Sequence, residues 1–373
     1  MNPTRRNILA VASALAVTPG VSRGAQVQSP SDDVAARLVR AAMVVNGNLV
    51  GPFDDAAPLD AGTAAQVRAT GLTAFKMTLG GSSGGFDEAS EMIAGVDKAI
   101  ALNPDLYMKI VTPEDLLAAK RSARIGVIYS FEAADMLDGK VDNIDHFAAL
   151  GVRVMQLGYN TASPFASGVM VPQPSTGLTS LGREAVARMN ALGVTLDLSH
   201  ADEASTLAAT AASTRPVLIT HAGCAAVRAH PRNKSDAVLR ALAETGGVVG
   251  IYELSYISEG AQQQSLDDYL AHMLHALSVC GEDHVGIGSD AILTPFDTSP
   301  ESMEQWNASI EARRAAGIGA PGEGRPPYVE GLNRPDRVEV IARALLDRGQ
   351  PVRVVEKILG ANFQRVFRQT WAV

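Results

Sequence analysis

Eight short apolar runs, alternating with helical patterns, constrain the fold of this chain more than any other feature of its sequence. They fall at Met43–Asn48, Leu72–Leu79, Ile125–Glu132, Val152–Tyr159, Val194–His200, Pro216–His221, Val248–Leu254 and Val285–Asp290. Most are continuous rather than alternating, as strands buried on both faces of a parallel sheet require. Between them, Ser180–Leu192 places Leu181, Ala185, Val186, Met189 and Leu192 at helical spacing. Leu239, Leu242 and Ala243 do the same ahead of the Gly246-Gly247 stop, and Leu266–Leu277 is another such run. The alternation predicts an α/β fold, a TIM-type (β/α)8 barrel. A doubly wound sheet is the rival; eight strands at this spacing in 373 residues favour the closed barrel.

The ends of the runs carry a second signal. Glu132, Tyr159, His200, His221, Glu253 and Asp290 stand on or beside them. In a barrel the carboxyl ends of the strands form one face, where active sites are built. His200 and His221 end consecutive strands, which lie about 4.8 Å apart in a sheet. Two imidazoles at matching height can then reach one metal at about 2.0–2.1 Å. Glu132 adds an oxygen from an earlier strand. Three such ligands leave a position for water, and the metal would acidify that water and polarise a carbonyl. Asp290, after Gly286-Ile287-Gly288-Ser289, is placed to take a proton from the water and return it to a leaving amine. Taken singly, each residue has a plainer reading: a hydrogen-bonded histidine, a turn-solvating glutamate, a helix-capping aspartate. Their joint position at the proper ends of alternating strands favours a site.

Composition fits this picture. Hydrophobic residues make up 46% and charged residues 19%, so the chain can bury a large core without disulfides. Net charge is −8 and no basic block interrupts it, which argues against nucleic acid as a partner. Cys224 and Cys280 lie outside any CxxC pair and read as small buried hydrophobes. At the N-terminus, Arg5-Arg6 precedes the apolar stretch Ala10–Val17 and then small and polar residues. This reads as a twin-arginine-type export signal, with a disordered tail as the plain alternative. The stretch is too short for a permanent membrane span, and no later segment is long and apolar enough. The expected organisation is a signal and linker over 1–28 and one barrel domain with C-terminal helices over 29–373, in a periplasmic or secreted protein. Thr294–Asn333, rich in Pro, Gly and charge, reads as a long loop of the lid, binding or disordered kind. Arg334–Trp371 reads as short helices broken at Gly349-Gln350-Pro351 and Gly360-Ala361-Asn362.

Several segments, in order, resemble the membrane (renal) dipeptidase family of metal-dependent hydrolases. They are Leu150–Asn160 (LGVRVMQLGYN), Gly177–His200 (ending TLDLSH), Pro216–His221 (PVLITH), His230–Leu239 (HPRNKSDAVL), Gly288-Ser289-Asp290, Gly331-Leu332 and Gly360–Phe367 (GANFQRVF). No single one is specific; the set is. The resemblance implies a TIM-type barrel, usually with two zinc ions, that cleaves dipeptides. On it, Glu132 matches a bridging carboxylate, and His200 and His221 match the imidazoles of the second metal. Arg232 matches an arginine that grips the substrate carboxylate, a task its bidentate fork suits. Asp290 matches the acid–base carboxylate. The family also suggests a homodimer.

Two departures qualify what the resemblance implies. The family's first strand ends in Asp-Gly-His-x-Asp, whose His and final Asp bind the first metal. Here the place reads Asn46-Gly47-Asn48-Leu49-Val50, with Asp54 and Asp55 nearby. A neutral amide and a valine do not hold zinc as imidazole and carboxylate do. Tyr159 stands where mammalian members carry a substrate-binding histidine; a phenol still donates a hydrogen bond but carries no positive charge. Some sugar-phosphate deacetylases among related barrels keep only a Glu-His-His metal and an Asp and still hydrolyse amides. The expectation is therefore a hydrolase with one divalent metal, most simply zinc. Its substrate would be a dipeptide or another small amide, lactone or acyl compound. A binding protein that has lost hydrolysis, and a barrel running lyase or isomerase chemistry, are the alternatives.

Overall fold

A computed structural model describes residues 30–81 and 84–372. The expected export signal lies outside the described residues. The eight runs of the sequence all form parallel strands: β1 (Val45–Asn46), β2 (Ala74–Thr78), β3 (Ile125–Phe131), β4 (Val154–Gln156), β5 (Thr195–Asp197), β6 (Leu218–Ala222), β7 (Val248–Ile251) and β8 (Val285–Ile287). Each pairs with its neighbour, and β1 pairs with β8 through Asn46 and Ile287, which closes the eight into a TIM-type barrel. A further strand, Tyr107–Ile110, pairs with the first half of β3, whose second half pairs with β4. The sequence reading omits this strand. Its pattern is buried only at Tyr107 and Ile110, so it offers no continuous apolar run.

The helices begin where short polar side chains can cap them. Thr179, Asp202 and Ser235 each accept a hydrogen bond from a first-turn amide of Ser180–Leu192, Glu203–Ala212 and Asp236–Glu244. Thr112 and Ser265 form full capping boxes with Asp115 and Asp268. Each such cap is worth about 1 kcal/mol and fixes where a strand-to-helix loop ends. Those loops carry the site.

Close backbone approach narrows the mouth of the barrel. A Cβ on Gly47, Gly250 or Gly288 would come within 2.5, 2.2 and 1.8 Å of the same atom, the carbonyl oxygen of Thr220. Only glycine lets the chains of β1, β7 and β8 converge on β6 there. Beyond the barrel, the chains leaving β1 and β8 stay zipped together. Leu49–Val50 pairs in parallel with Ala291–Ile292, and the Asp290 amide donates to the Asn48 carbonyl at 2.8 Å. This extension sets Asn48 beside Asp290.

The segment 294–333 departs from its expectation as a plain loop. It contains a helix, Pro300–Ala315, capped by Ser299 with proline in the first turn. Only Ile310 of this helix is buried, so its sequence carries no apolar stripe to announce it. Phe296 and Asn333 tie the ends of the segment together through paired hydrogen bonds of 2.7 and 2.9 Å. The C-terminal helices stop at Gly349 as expected, but Lys357–Ala361 runs on as a π turn into Asn362–Thr370. Gly360 packs directly on the backbone of Met43 and Val45, where a Cβ would have no room. Cys224 and Cys280 are buried and free. Among the described residues, no helix is long and apolar enough to cross a membrane.

Candidate metal centre

The carboxyl ends of β3, β5 and β6 bring three of the expected residues to one point. One ligand atom each of Glu132, His200 and His221 lies within 4.8 Å of the others. The two imidazoles approach most closely, with 3.1 Å between their Nε2 atoms. Two nitrogens held at about 2.0–2.1 Å by one tetrahedral ion would be roughly 3.3 Å apart, so the pair is already spaced for a shared cation.

The hydrogen bonds behind the rings decide which nitrogen is bare. Asn160 donates its Nδ2 to the Ile318 carbonyl, so its Oδ1 accepts from His200 Nδ1 at 2.7 Å. Thr220 Oγ1 gives its proton to Asp197 Oδ2 at 2.6 Å and therefore accepts from His221 Nδ1 at 2.9 Å. Both Nε2 atoms are left as lone pairs that face each other. Burial, and next the Arg232 guanidinium, hold both rings well below the ordinary histidine value, so both are neutral. Two converging lone pairs beside a carboxylate repel one another; Arg232 Nη2, 3.2 Å from His200 Nε2, offsets part of that repulsion, and a divalent cation between the rings would offset the rest. The donor set therefore fits a divalent metal.

Asp197 organises this arrangement. Wholly buried at the end of β5, its Oδ1 takes the Ser199 amide and hydroxyl and the Thr220 amide, and its Oδ2 takes the Thr220 hydroxyl and the Gln156 amide. It fixes the backbone that carries both histidines. An acidic residue inside an apolar strand was the sequence signal for this role, and the sequence reading passed over it.

Asp290 lies at the rim of the cluster, its Oδ2 4.0 Å from His221 Nε2. Its φ of 51° places it in the left-handed region that non-glycine residues rarely adopt. This turn points the carboxylate back over the mouth; such local strain gathers at functional positions. Burial, and next the Glu132 charge, push its carboxyl up to about 7. A carboxyl in that range exchanges protons readily near neutrality.

The two residues expected to touch substrate lie beside the metal ligands. Tyr159 stacks on the His200 ring with centroids 4.0 Å apart. Its hydroxyl accepts from Arg313 Nη2 at 3.0 Å. Arg313 comes from the helix Pro300–Ala315 and pairs with Glu323 at 2.6 Å, so the 294–333 segment contributes directly to the mouth. Arg232 is buried, donates to the Ser199 carbonyl, and holds Nη2 3.2 Å from His200 Nε2. Its neighbour Lys234, also buried, donates to the Ala201 carbonyl, and burial lowers its ammonium to about 7. Glu253 turns away to pair with Arg337 at 3.5 Å. Asp54 and Asp55 stand exposed, and Asp54 caps its own turn.

The first-strand asparagines are accounted for differently. Asn46 is consumed by the loop: its Nδ2 donates to Ser289 Oγ at 2.8 Å and its Oδ1 accepts the amides of Asn48 and Ser289. Asn48 donates Nδ2 to Glu132 Oε1 at 2.7 Å and to Asp290 Oδ1 at 2.8 Å. Its Oδ1 accepts from Lys76 Nζ at 2.9 Å. Lys76 was missed by the sequence reading, although a lysine within the apolar run Leu72–Leu79 must find partners if it is buried.

Comparison with known proteins agrees with this architecture. The chain is similar to an uncharacterised dipeptidase of Schizosaccharomyces pombe, 31% identical over 204 residues, covering 53% of this chain and 48% of that one. It is 27% identical to the dipeptidase tcpJ of Claviceps purpurea, covering 69% of this chain and 53% of that one. It thus spans about half the length of these curated relatives. Among solved structures, an amidohydrolase from Pseudomonas aeruginosa is 28% identical and superposes with a TM-score of 0.76, covering 91% of this chain and 99% of that one. A probable dipeptidase, PvdM, from the same organism is 18% identical with a TM-score of 0.72 and shares the fold. The model of the membrane dipeptidase family, peptidase family M19, matches residues 63–313. That match is shorter than the resemblance read from the sequence, and it begins after β1 with its two asparagines. It nonetheless takes in seven of the eight barrel strands and every residue of the cluster, and the chain belongs to the membrane dipeptidase family.

Proposed function

We propose that this chain is a metal-dependent hydrolase that cleaves a dipeptide or a similar small amide bearing a free carboxylate. The observation that carries the reading is the convergence of Glu132 with two neutral imidazoles whose protons are held on the far nitrogens. A divalent ion, most simply zinc, would be held by Glu132, His200 and His221, where it would supply an acidified water and a Lewis acid for the scissile carbonyl. The protein's own groups do the rest. Asp290 Oδ2 accepts a proton on the mouth side and returns it to the leaving amine. Asn160 and Thr220 keep the ligand rings from turning. Tyr159 stacks on one face of the His200 ring.

The preference for a carboxylate rests on charge. Arg232 is buried without a carboxylate partner among the described residues; its hydrogen bonds go to the Ser199 carbonyl and to His200. A buried cation lacking an anion is costly, and a substrate carboxylate offsets that cost. Hydrogen bonds to charged groups are worth about 1.5–3 kcal/mol, roughly 10- to 100-fold. Amidating the carboxyl end of a cleaved dipeptide should therefore lower kcat/KM by about that factor in the wild type, and far less in Arg232→Met. Equal rates on acid and amide would show that no carboxylate is read.

We further propose that the N-terminal Arg5-Arg6 segment directs the chain to the periplasm or outside the cell. Fusing residues 1–28 to a folded reporter tests this: export should depend on both arginines.

A further inference from the structure

We infer that the Lys76 side chain, acting through Asn48, is a built-in cation that occupies the inner side of the site and limits it to a single divalent ion. This rests on the reading of Glu132, His200 and His221 as metal ligands. Lys76 stands in the middle of β2 and is 1% exposed. Its Nζ lies 2.9 Å from Asn48 Oδ1, 3.5 Å from Glu132 Oε1 and 3.9 Å from Asp197 Oδ2. Asn48 then spends both Nδ2 protons on Glu132 Oε1 and Asp290 Oδ1.

The space between those two carboxylates is where a second cation would have to sit. Here it is filled by groups of the opposite polarity. N–H protons, not lone pairs, point into it, and an ammonium stands directly behind them. A divalent ion entering there would have to expel the Asn48 amide and remain close to the Lys76 charge. Asn46 offers no replacement ligand, since its amide is spent on Ser289 and the loop backbone. The lysine and the amide thus do the electrostatic work of a cation. They gather Glu132 and Asp290 and hold one oxygen of each, leaving Asp290 Oδ2 4.0 Å from His221 Nε2. Lys76 is in this sense a positioning residue.

Metal stoichiometry tests the inference directly. Purified proteins are incubated with millimolar zinc and desalted, metal is counted by mass spectrometry, and bound ions are located by anomalous diffraction. Wild type is expected to hold about one ion per chain, at the histidines. Asn48→Asp is expected to hold one as well, because its new carboxylate meets the ammonium. Lys76→Met/Asn48→Asp, which supplies the carboxylate and removes the competing charge, is expected to hold two. A second ion beside Glu132 Oε1 in wild type or in Asn48→Asp overturns the inference, as does a folded double variant that stays at one. If the double variant does not fold, the wild-type anomalous map decides by the same criterion. No ion in wild type would sink the metal-centre reading itself, a different result from one ion in every variant.

Discussion

Replacing His221 by alanine is expected to abolish tight metal binding and reduce hydrolysis to background. His221 is fully buried and supplies one of only three donors in the cluster. Even residues that merely orient a ligand typically cost 10- to 100-fold in metal affinity when removed. Loss of the ligand itself should exceed that range, and Thr220→Val, which removes the acceptor for Nδ1–H together with the hydroxyl's bond to Asp197, should fall within it. The measurement is metal affinity by competition with a chromophoric chelator, paired with initial rates. Because the alanine also opens a small cavity, thermal melts of both proteins without metal separate folding from binding. The stripped variant should melt within a few degrees of stripped wild type, while only wild type should gain stability on adding zinc.

Asp290→Asn is expected to lower kcat by about 10²- to 10⁴-fold with the metal retained. The substitution is nearly isosteric. The amide oxygen it introduces can still accept from the Asn48 amide, so the contact that now measures 2.8 Å survives. What disappears is a carboxyl that burial and the Glu132 charge hold at about 7. Rates and metal content must be measured on the same preparation. Unchanged kcat would remove Asp290 from proton transfer. A fall in metal content that accounts for the lost activity would make Asp290 a ligand instead.

The sequence was most legible where burial is continuous. All eight barrel strands announce themselves as apolar runs, and each run matches its strand to within two residues at the start. The runs overshoot at their ends, however. Glu132, Tyr159, His200, Glu253 and Asp290 all lie beyond the last paired residue, whereas His221 lies within β6. The overshoot is informative, because the site is made of chain that has just left the barrel. Elements that bury only one edge were invisible. Tyr107–Ile110 pairs with half of one strand, and the helix Pro300–Ala315 buries a single residue, so neither has a periodic pattern. That helix carries Arg313, which is how a cation at the mouth escaped notice.

The polar groups inside the barrel divide in the same way. Histidines and carboxylates at run ends attract attention because those residue types carry chemistry. Lys76 and Asp197 sit within runs, and their meaning depends on which partners the closed barrel delivers. Lys76 meets Asn48 and Glu132 just past the ends of β1 and β3, the neighbours of its own strand. The Asn46–Val50 segment could be read as the loss of two ligands, at Asn48 and Val50. What Asn48 does instead becomes apparent only when its amide is seen between two carboxylates.

Titrating zinc into chelator-stripped wild-type protein, while following both bound metal and hydrolysis of a dipeptide panel, tests the central claim most directly. The account predicts no hydrolysis without metal, activity that rises in step with the first equivalent, and a plateau at about one ion per chain. Activity that survives complete stripping, or a stripped site that takes up no divalent ion, would contradict it.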